Sequence, residues 1–311
     1  MKKFVIRLFI FLIPISGFIA AWEYGLSRMP DSYSMKREHL ESLAPKIEVL
    51  VLGPSHSLRG VDPDCFSMKG YNVANIQQSI YYDTRITLKY LDKMTSLKVV
   101  LIDISYPSFW FQVHTCDEPF RDYFYAREWG IRYPSIKWYD IHLYSKILAY
   151  GNEKAWNFAL SGFSTDLERG YQENGWAIGG KKGPLNDSAG YNLAKAHEKE
   201  MKQENFADNI SDLKIFIGEL KKRNIEPVFF IAPYNHFYNK YLDKNRMKTI
   251  DSAINGLCSI YSCRKYDYHT DSRFTDEDFR EVTHLNKDGA IKFSKILNDE
   301  ILKNYNSPLL K

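Results

Sequence analysis

Ile47-Glu48-Val49-Leu50-Val51-Leu52-Gly53-Pro54-Ser55-His56-Ser57 joins a short apolar run to a Gly-Pro break and a serine. A run of this length, closed by glycine, predicts a strand buried on both faces. The pattern recurs downstream. Residues 71–74 (YNVA) predict a weaker second strand, 98–104 (KVVLIDI) a third and 227–232 (PVFFIA) a fourth; 266–268 (YDY) open a last short one. Helical periodicity lies between them. Residues 85–94 put Ile86, Tyr90, Leu91 and Met94 on one face, and 208–223 turn Ile210, Leu213, Phe216, Ile217 and Leu220 inward. Asn286 is placed to cap a final helix that buries Ala290, Ile291, Phe293, Ile296 and Leu297. Doubly buried strands separated by helices predict a parallel sheet between helix layers, with its site at the carboxyl ends of the strands.

Residues 105–207 interrupt the alternation. They are rich in aromatics (FWF, YFY, KWYD) and later in glycine (AIGGKKG). This predicts a helical and loop insertion over the strand ends, its aromatics serving as core or as a sugar platform. No internal repeat or low-complexity tract is present.

The N-terminus is an address. Residues 8–22 read LFIFLIPISGFIAAW, and from Phe4 the apolar run is broken only by Arg7. This fits a signal peptide or a single signal anchor. Lys2, Lys3 and Arg7 would keep the N-terminus cytoplasmic, leaving everything from about residue 25 outside the inner membrane. A buried N-terminal helix of a cytosolic protein would normally carry a polar face. The formal charge is +4, but without Lys2, Lys3 and Arg7 the 42 basic residues fall to 39 against 38 acidic ones. That balance gives a nucleic-acid partner no support. Four cysteines in 311 residues exclude a small disulfide scaffold, and their spacing does not suggest zinc. Cys258 with Cys263 and Cys65 with Cys116 are the natural pairs, and four free thiols the alternative.

Ser55 stands at a predicted strand-to-helix turn, where first-turn N–H groups can hold an oxyanion. A serine nucleophile needs a base. Glu281-Val282-Thr283-His284, before the last helix, offers an imidazole with an acid three residues earlier to orient it. Asp278 is the alternative acid. The bland readings are an N-cap for Ser55, a surface role for His284 and local packing for His56.

These blocks resemble the SGNH/GDSL hydrolase superfamily, in its membrane-anchored branch tied to bacterial surface polysaccharides. That branch often writes its first block Gly-x-Ser-His. VLGPSHSLRGVDPDCF, GYNVANIQQSIYYD, LKYLD and LKVVLIDISY resemble its N-terminal half, and YDYHTDSRFTDEDFREVTHLNKDGAIKFSKIL its C-terminal end. The resemblance implies a three-layer, flavodoxin-like α/β sheet and no metal or organic cofactor. It makes Ser55 the nucleophile, His284 the base and Glu281 the acid. Ser55 N–H would hold the oxyanion, with Asn75, Gln77 and Ser105 as candidate donors. Gln77 stands where the family has Gly, and Ser105 where it has Asn. The implied organisation is a signal anchor over 1–24, touching the inner membrane through 4–22, then one extracytoplasmic domain over 25–311 with the insertion at about 105–207. The implied activity is that of an O-acetyl esterase or O-acetyltransferase on a cell-surface glycan, with a membrane acyl-transfer protein as a candidate partner. The alternative is a catalytically degenerate fold that binds glycan or a membrane partner.

Overall fold

Five parallel strands, in the order β2-β1-β3-β4-β5, form the centre of the chain. They are β1 (Val49–Leu52), β2 (Gly70–Asn72), β3 (Val99–Asp103), β4 (Glu226–Ile231) and β5 (Arg264–Asp267). The computed structural model describes residues 1–29, 31–162, 170–178, 182–303 and 305. The strand order is flavodoxin-like, and its switch point lies between β1 and β3, where ligands of such sheets bind. Val49 pairs with Gly70 on one side and Val99 on the other, which fixes the central register.

The helices, in chain order, are α1 (Lys2–Arg28), α2 (Ser32–Leu43), α3 (Ser55–Gly60), α4 (Ile80–Tyr90), α5 (Arg121–Glu128), α6 (Lys146–Tyr150), α7 (Asn152–Leu160), α8 (Asp187–Glu200), α9 (Asn205–Lys222), α10 (His236–Asn239), α11 (Lys244–Tyr261) and α12 (Lys287–Leu297). The chain divides into two compact units. The larger holds residues 36–119 and 170–311, the smaller residues 1–35 and 120–169. Of the predicted insertion, 105–119 and 170–207 thus lie in the larger unit and 120–169 in the smaller.

In the larger unit, alternation along the strands sends Val49, Val51, Val99, Leu101, Val228 and Phe230 to one face. There they meet Ala290, Phe293 and Leu297 of α12. Leu50, Leu52, Val100, Ile102, Phe229 and Ile231 take the opposite face and are equally buried. Both faces are covered, so these strands read as unbroken apolar runs. Asn286 Oδ1 accepts the Gly289 N–H at 2.9 Å and starts α12 as its sequence predicts. Asn209 of α9 donates to the carbonyls of Ser108, Phe109 and Phe111, binding the segment after β3 to that helix. Lys36 is buried and gives its amine to Asn72 O and Gly175 O at 2.7 Å each.

The predicted helix over 85–94 instead spans Ile80–Tyr90. Its first turn buries Asp83 and Thr84 beside Tyr81 and Tyr82, so polar side chains sit where a periodicity reading wants apolar ones. Asp83 is buried for a reason: its Oδ1 accepts the Gly53 N–H at 3.0 Å and the Gln78 Nε2–H at 2.6 Å.

In the smaller unit, α6 and α7 pack on the last turns of α1 around Leu26, Ile147 and Ala155. The Glu23 carboxylate accepts from the Ser145 hydroxyl and the Ile147 N–H, fastening the start of α6 to α1. An 18-residue stretch of α1 has a mean hydropathy of 2.3, and the helix is long and apolar enough to cross a bilayer.

Burial, with the nearby Asp103 charge, pushes the Asp83 carboxyl up to about 7. The unfolded carboxyl ionises near 4, so between about pH 4 and 7 the fold holds a proton that the unfolded chain has released. Stability therefore falls as pH rises through that window and then levels. Asp83→Asn keeps the Oδ1 acceptor and cannot ionise. Urea unfolding across this range should show a shallower decline for the variant than for the wild type. An identical decline would mean that Asp83 does not titrate there.

Candidate active site

The turn after β1 needs a glycine. Gly53 has φ +136°, and a Cβ there would come within 2.7 Å of Asp103 Cβ. Pro54 follows, and Ser55 opens α3, where its N–H has no carbonyl one turn earlier to bond. The strand end is held from several sides. Asp83 takes the Gly53 N–H, Gly53 O accepts from Asn75 N–H at 3.2 Å, and Ser57 Oγ donates to Asp103 Oδ2 at 2.7 Å.

His284 arrives from the other end of the chain. Phe279 and Leu285 form a one-pair antiparallel bridge, and Arg280 N–H donates to His284 O at 2.9 Å. This folds 279–285 into a tight excursion just before α12. Glu281 turns back over it: its carboxylate accepts from the N–H of Thr283 and from the N–H of His284 at 2.7 Å. Glu281 Oε1 also bonds His284 Nδ1, and His284 Nε2 lies 2.8 Å from Ser55 Oγ. Residues 229 positions apart therefore form one chain: carboxylate, imidazole, hydroxyl.

The charges fix the direction of that chain. Burial raises the Glu281 carboxyl, but the His284 hydrogen bond and charge outweigh it and hold the group down at about 2. An ionised carboxylate only accepts. Nδ1 of His284 must then carry its proton toward Glu281, which in the neutral ring leaves the Nε2 lone pair facing the Ser55 hydroxyl. The arrangement can draw a proton from Ser55 and stabilise the imidazolium that results.

Of the other candidates, Asp278 is engaged elsewhere. It accepts the Thr275 N–H at 2.9 Å and the Lys292 ammonium at 2.8 Å. Asn75 is buried, and its Oδ1 accepts from Ile76 N–H and Tyr171 O–H. Gln77 adopts φ +52°, a left-handed conformation that glycine takes at no cost, and accepts a long contact from the Cys116 thiol. Ser105 is fully buried, with its hydroxyl 2.9 Å from that of Ser108. The four cysteines are free thiols, and those of Cys258 and Cys263 are within hydrogen-bonding reach of each other.

Four further residues shape the site. His56 stacks on the His284 ring, centroids 5.0 Å apart and planes 15° off parallel, as its local-packing reading expects. Burial, then the charge of His284, pushes it well below the usual imidazole range. His197 of α8 bonds the Tyr238 hydroxyl at 2.6 Å, and burial with the His284 charge lowers it to about 4. Asp83 and Asp103 brace Gly53 and Ser57 from below. Adjacency to Ser55 was a signal for His56. Nothing local marks His197, Asp83 or Asp103. A cavity of about 270 Å³ is walled by Arg59, Trp176, Lys182, Asp276, Glu277, Arg280 and Lys287, among them sequence neighbours of Ser55 and Glu281 rather than those residues themselves.

A family model described as DltD protein matches residues 188–300, a stretch that contains Glu281 and His284 but not Ser55. No curated protein sequence matches the chain. Among solved structures, a candidate acylhydrolase from Bacteroides fragilis NCTC 9343 superposes with a TM-score of 0.44 at 10% identity, over 89% of this chain and 100% of its own. A candidate platelet activating factor from Streptococcus pneumonia gives 0.42 at 11%, over 93% and 97%. These likenesses are loose, and the fold stands on its own strand order. The SGNH-like resemblance carried by the two sequence blocks holds: the strand order is the implied one, and the family model spans the C-terminal block.

Proposed function

We propose that the protein is a serine-dependent O-acyl esterase or O-acyltransferase of a surface glycan, held in the inner membrane by α1 with its sheet domain outside. The observation that carries this reading is the 2.8 Å contact between Ser55 Oγ and His284 Nε2, with Glu281 on the far nitrogen. Ser55 Oγ attacks the acyl carbonyl as His284 Nε2 takes its proton. Glu281 keeps the ring oriented and balances its charge. The Ser55 N–H, free at the start of α3, faces the developing oxyanion. The proton on His284 then passes to the leaving hydroxyl, and an acyl-serine remains. Water or a sugar hydroxyl completes the turnover; the difference lies in which of them reaches the acyl-serine. The cavity beyond Arg59 and Arg280, whose walls carry both basic (Arg59, Lys182, Arg280, Lys287) and acidic (Asp276, Glu277) side chains, suits a hydroxylated polymer. The DltD match, over the segment with the base and acid, agrees with a role in modifying a surface polymer.

A second reading, a degenerate fold that binds glycan without turnover, draws on Gln77 at the glycine position and on the burial of Ser105. A serine-directed fluorophosphonate separates the two: an enzyme labels at Ser55, and a binder does not.

Ser55→Ala should abolish release of acetate from p-nitrophenyl acetate and from an acetylated glycan. Thermal unfolding should barely move, since the Ser55 hydroxyl makes one side-chain hydrogen bond, worth about 1 kcal/mol net. Full activity of the variant on every substrate that the wild type turns over would refute the mechanism. The two acids should part company. Glu281→Gln should lower kcat strongly, by less than loss of His284 does. Asp278→Asn should leave kcat near wild type and lower the melting temperature, because its oxygens serve Thr275 and Lys292. The reverse order of kcat effects would move the orienting role to Asp278.

A further inference from the structure

The smaller unit carries a concentration of exposed apolar surface outside α1. Trp138, Tyr139, Ile141, Tyr144, Trp156 and Leu160 are all exposed, Trp138 and Leu160 at 70%. Among the described residues, the whole larger unit exposes only Tyr191, Ile215 and Ile260 in this way. A soluble surface rarely gathers such side chains in one short stretch without a partner for them.

Their attachment to α1 says at what height they stand. The first 21 residues of the chain are exposed, and packing begins at Trp22. Trp22 Nε1–H donates to Ala155 O at 3.1 Å, and its ring meets Trp156 edge-on at 5.4 Å. One residue on, Glu23 holds the start of α6 through Ser145 and Ile147. At 1.5 Å per residue, an apolar hydrocarbon span of about 30 Å takes roughly 20 residues, so a span that starts near Phe4 ends close to Trp22. The aromatic stretch is therefore tied to α1 at the turn where the helix leaves the hydrocarbon. Trp156 and Leu160, four residues apart, share one side of α7, while Ala155 and Phe158 pack inward. Tryptophan and tyrosine flanked by aliphatics is the composition that seats at the headgroup boundary.

We propose that residues 138–160 form a second membrane contact, a pedestal of α6, α7 and the preceding turn that beds its exposed aromatic and aliphatic side chains into the outer headgroup boundary of the bilayer that α1 spans. The occupant of this face is lipid, and the proposal rests on the reading of α1 as a retained membrane span. The pedestal would stop α1 from acting as a free tether and restrict how the smaller unit rotates and rises.

The test uses the full-length chain in phosphatidylcholine nanodiscs, with Cys65, Cys116, Cys258 and Cys263 replaced by serine. Single cysteines at positions 12, 138, 144, 160 and 260 carry a nitroxide, and collision with oxygen is compared with collision with a water-soluble nickel chelate. Expected is an oxygen-to-nickel ratio at 138, 144 and 160 severalfold above that at 260 and below that at 12. Ratios at 138, 144 and 160 equal to that at 260, with position 12 in lipid, would overturn the pedestal and leave the anchor standing. A water-exposed or missing residue 12 would overturn both. If the serine background does not fold, brominated-lipid quenching of tryptophan emission in the native-cysteine protein probes the same contact. Trp138→Phe with Trp156→Phe should remove a large part of the quenchable emission, and Trp176→Phe in the larger unit should remove none. A quenchable fraction unchanged by the double substitution would refute the pedestal.

Discussion

The larger unit is organised around a backbone position with no room for a side chain. Gly53 lies against Asp103 at the switch point of the sheet, in a conformation open chiefly to glycine. That approach brings the end of β1 close to the end of β3. Gly53 donates its N–H to Asp83, and its carbonyl accepts from Asn75, so the turn is tied to α4 and to the segment after β2. Pro54 then ends the strand, and Ser55 starts a helix with its N–H unspent. If Gly53 moved outward by one side-chain width, Ser55 would move with it, and a hydrogen bond of 2.8 Å to a residue on the far end of the chain would not survive.

Burial on both faces explains why so much of the sheet is legible in the sequence. Such strands need apolar residues at every position, and all five predicted strands coincide with β1 to β5 to within two residues at either end. The edge strands are hardest to read. β2 keeps only three residues, and β5 (Arg264–Asp267) is largely polar with partly exposed side chains. Helices are less legible for two physical reasons. The first turn of α4 buries Asp83 to serve Gly53, which breaks the apolar stripe where the helix begins. Helix α11 is missed because only Ile250, Ile254 and Leu257 of its 18 residues are buried. The site divides likewise. Ser55, Glu281 and His284 are readable because the chemistry expected of them would need those residue types beside a strand end and a helix start. Asp83, Asp103 and His197 are not, because each answers a demand that exists only once the chain has folded.

Three imidazoles crowd one place, and their differing environments assign them different work. His56 lies flat against His284, and His197 is near enough for the His284 charge to reach it. His56 is buried and His197 half-buried, neither with a carboxylate on its ring, and both are driven toward the neutral form. His284 alone has Glu281, whose own ionised state is secured down to about pH 2 by the same hydrogen bond. An anion to balance a proton thus stands beside His284 and not beside the other two rings. A neutral ring stacked beneath it adds polarizable contact without competing for that proton. Had His56 a carboxylate of its own, two imidazolium rings 5.0 Å apart would repel.

The two buried carboxyls behind the turn complete this electrostatic order. Asp83 and Asp103 are each pushed up to about 7 by burial, and the charge of Asp103 adds to the shift of Asp83. Each is shielded from water behind the strand ends, so each tends to keep its proton at the pH where Glu281 has long since lost its own. The difference is one of partners. Glu281 receives N–H donors and an imidazole, which stabilise the anion, whereas burial dominates at Asp83 and Asp103 despite the hydrogen bonds of Gly53, Gln78 and Ser57. One fold thus holds three carboxyls close to one strand end, and only the one facing His284 is made a permanent charge. An additional fixed negative charge beneath Ser55 would oppose an oxyanion forming above it. Below about pH 7, where Asp83 and Asp103 tend to hold their protons, that opposition is reduced.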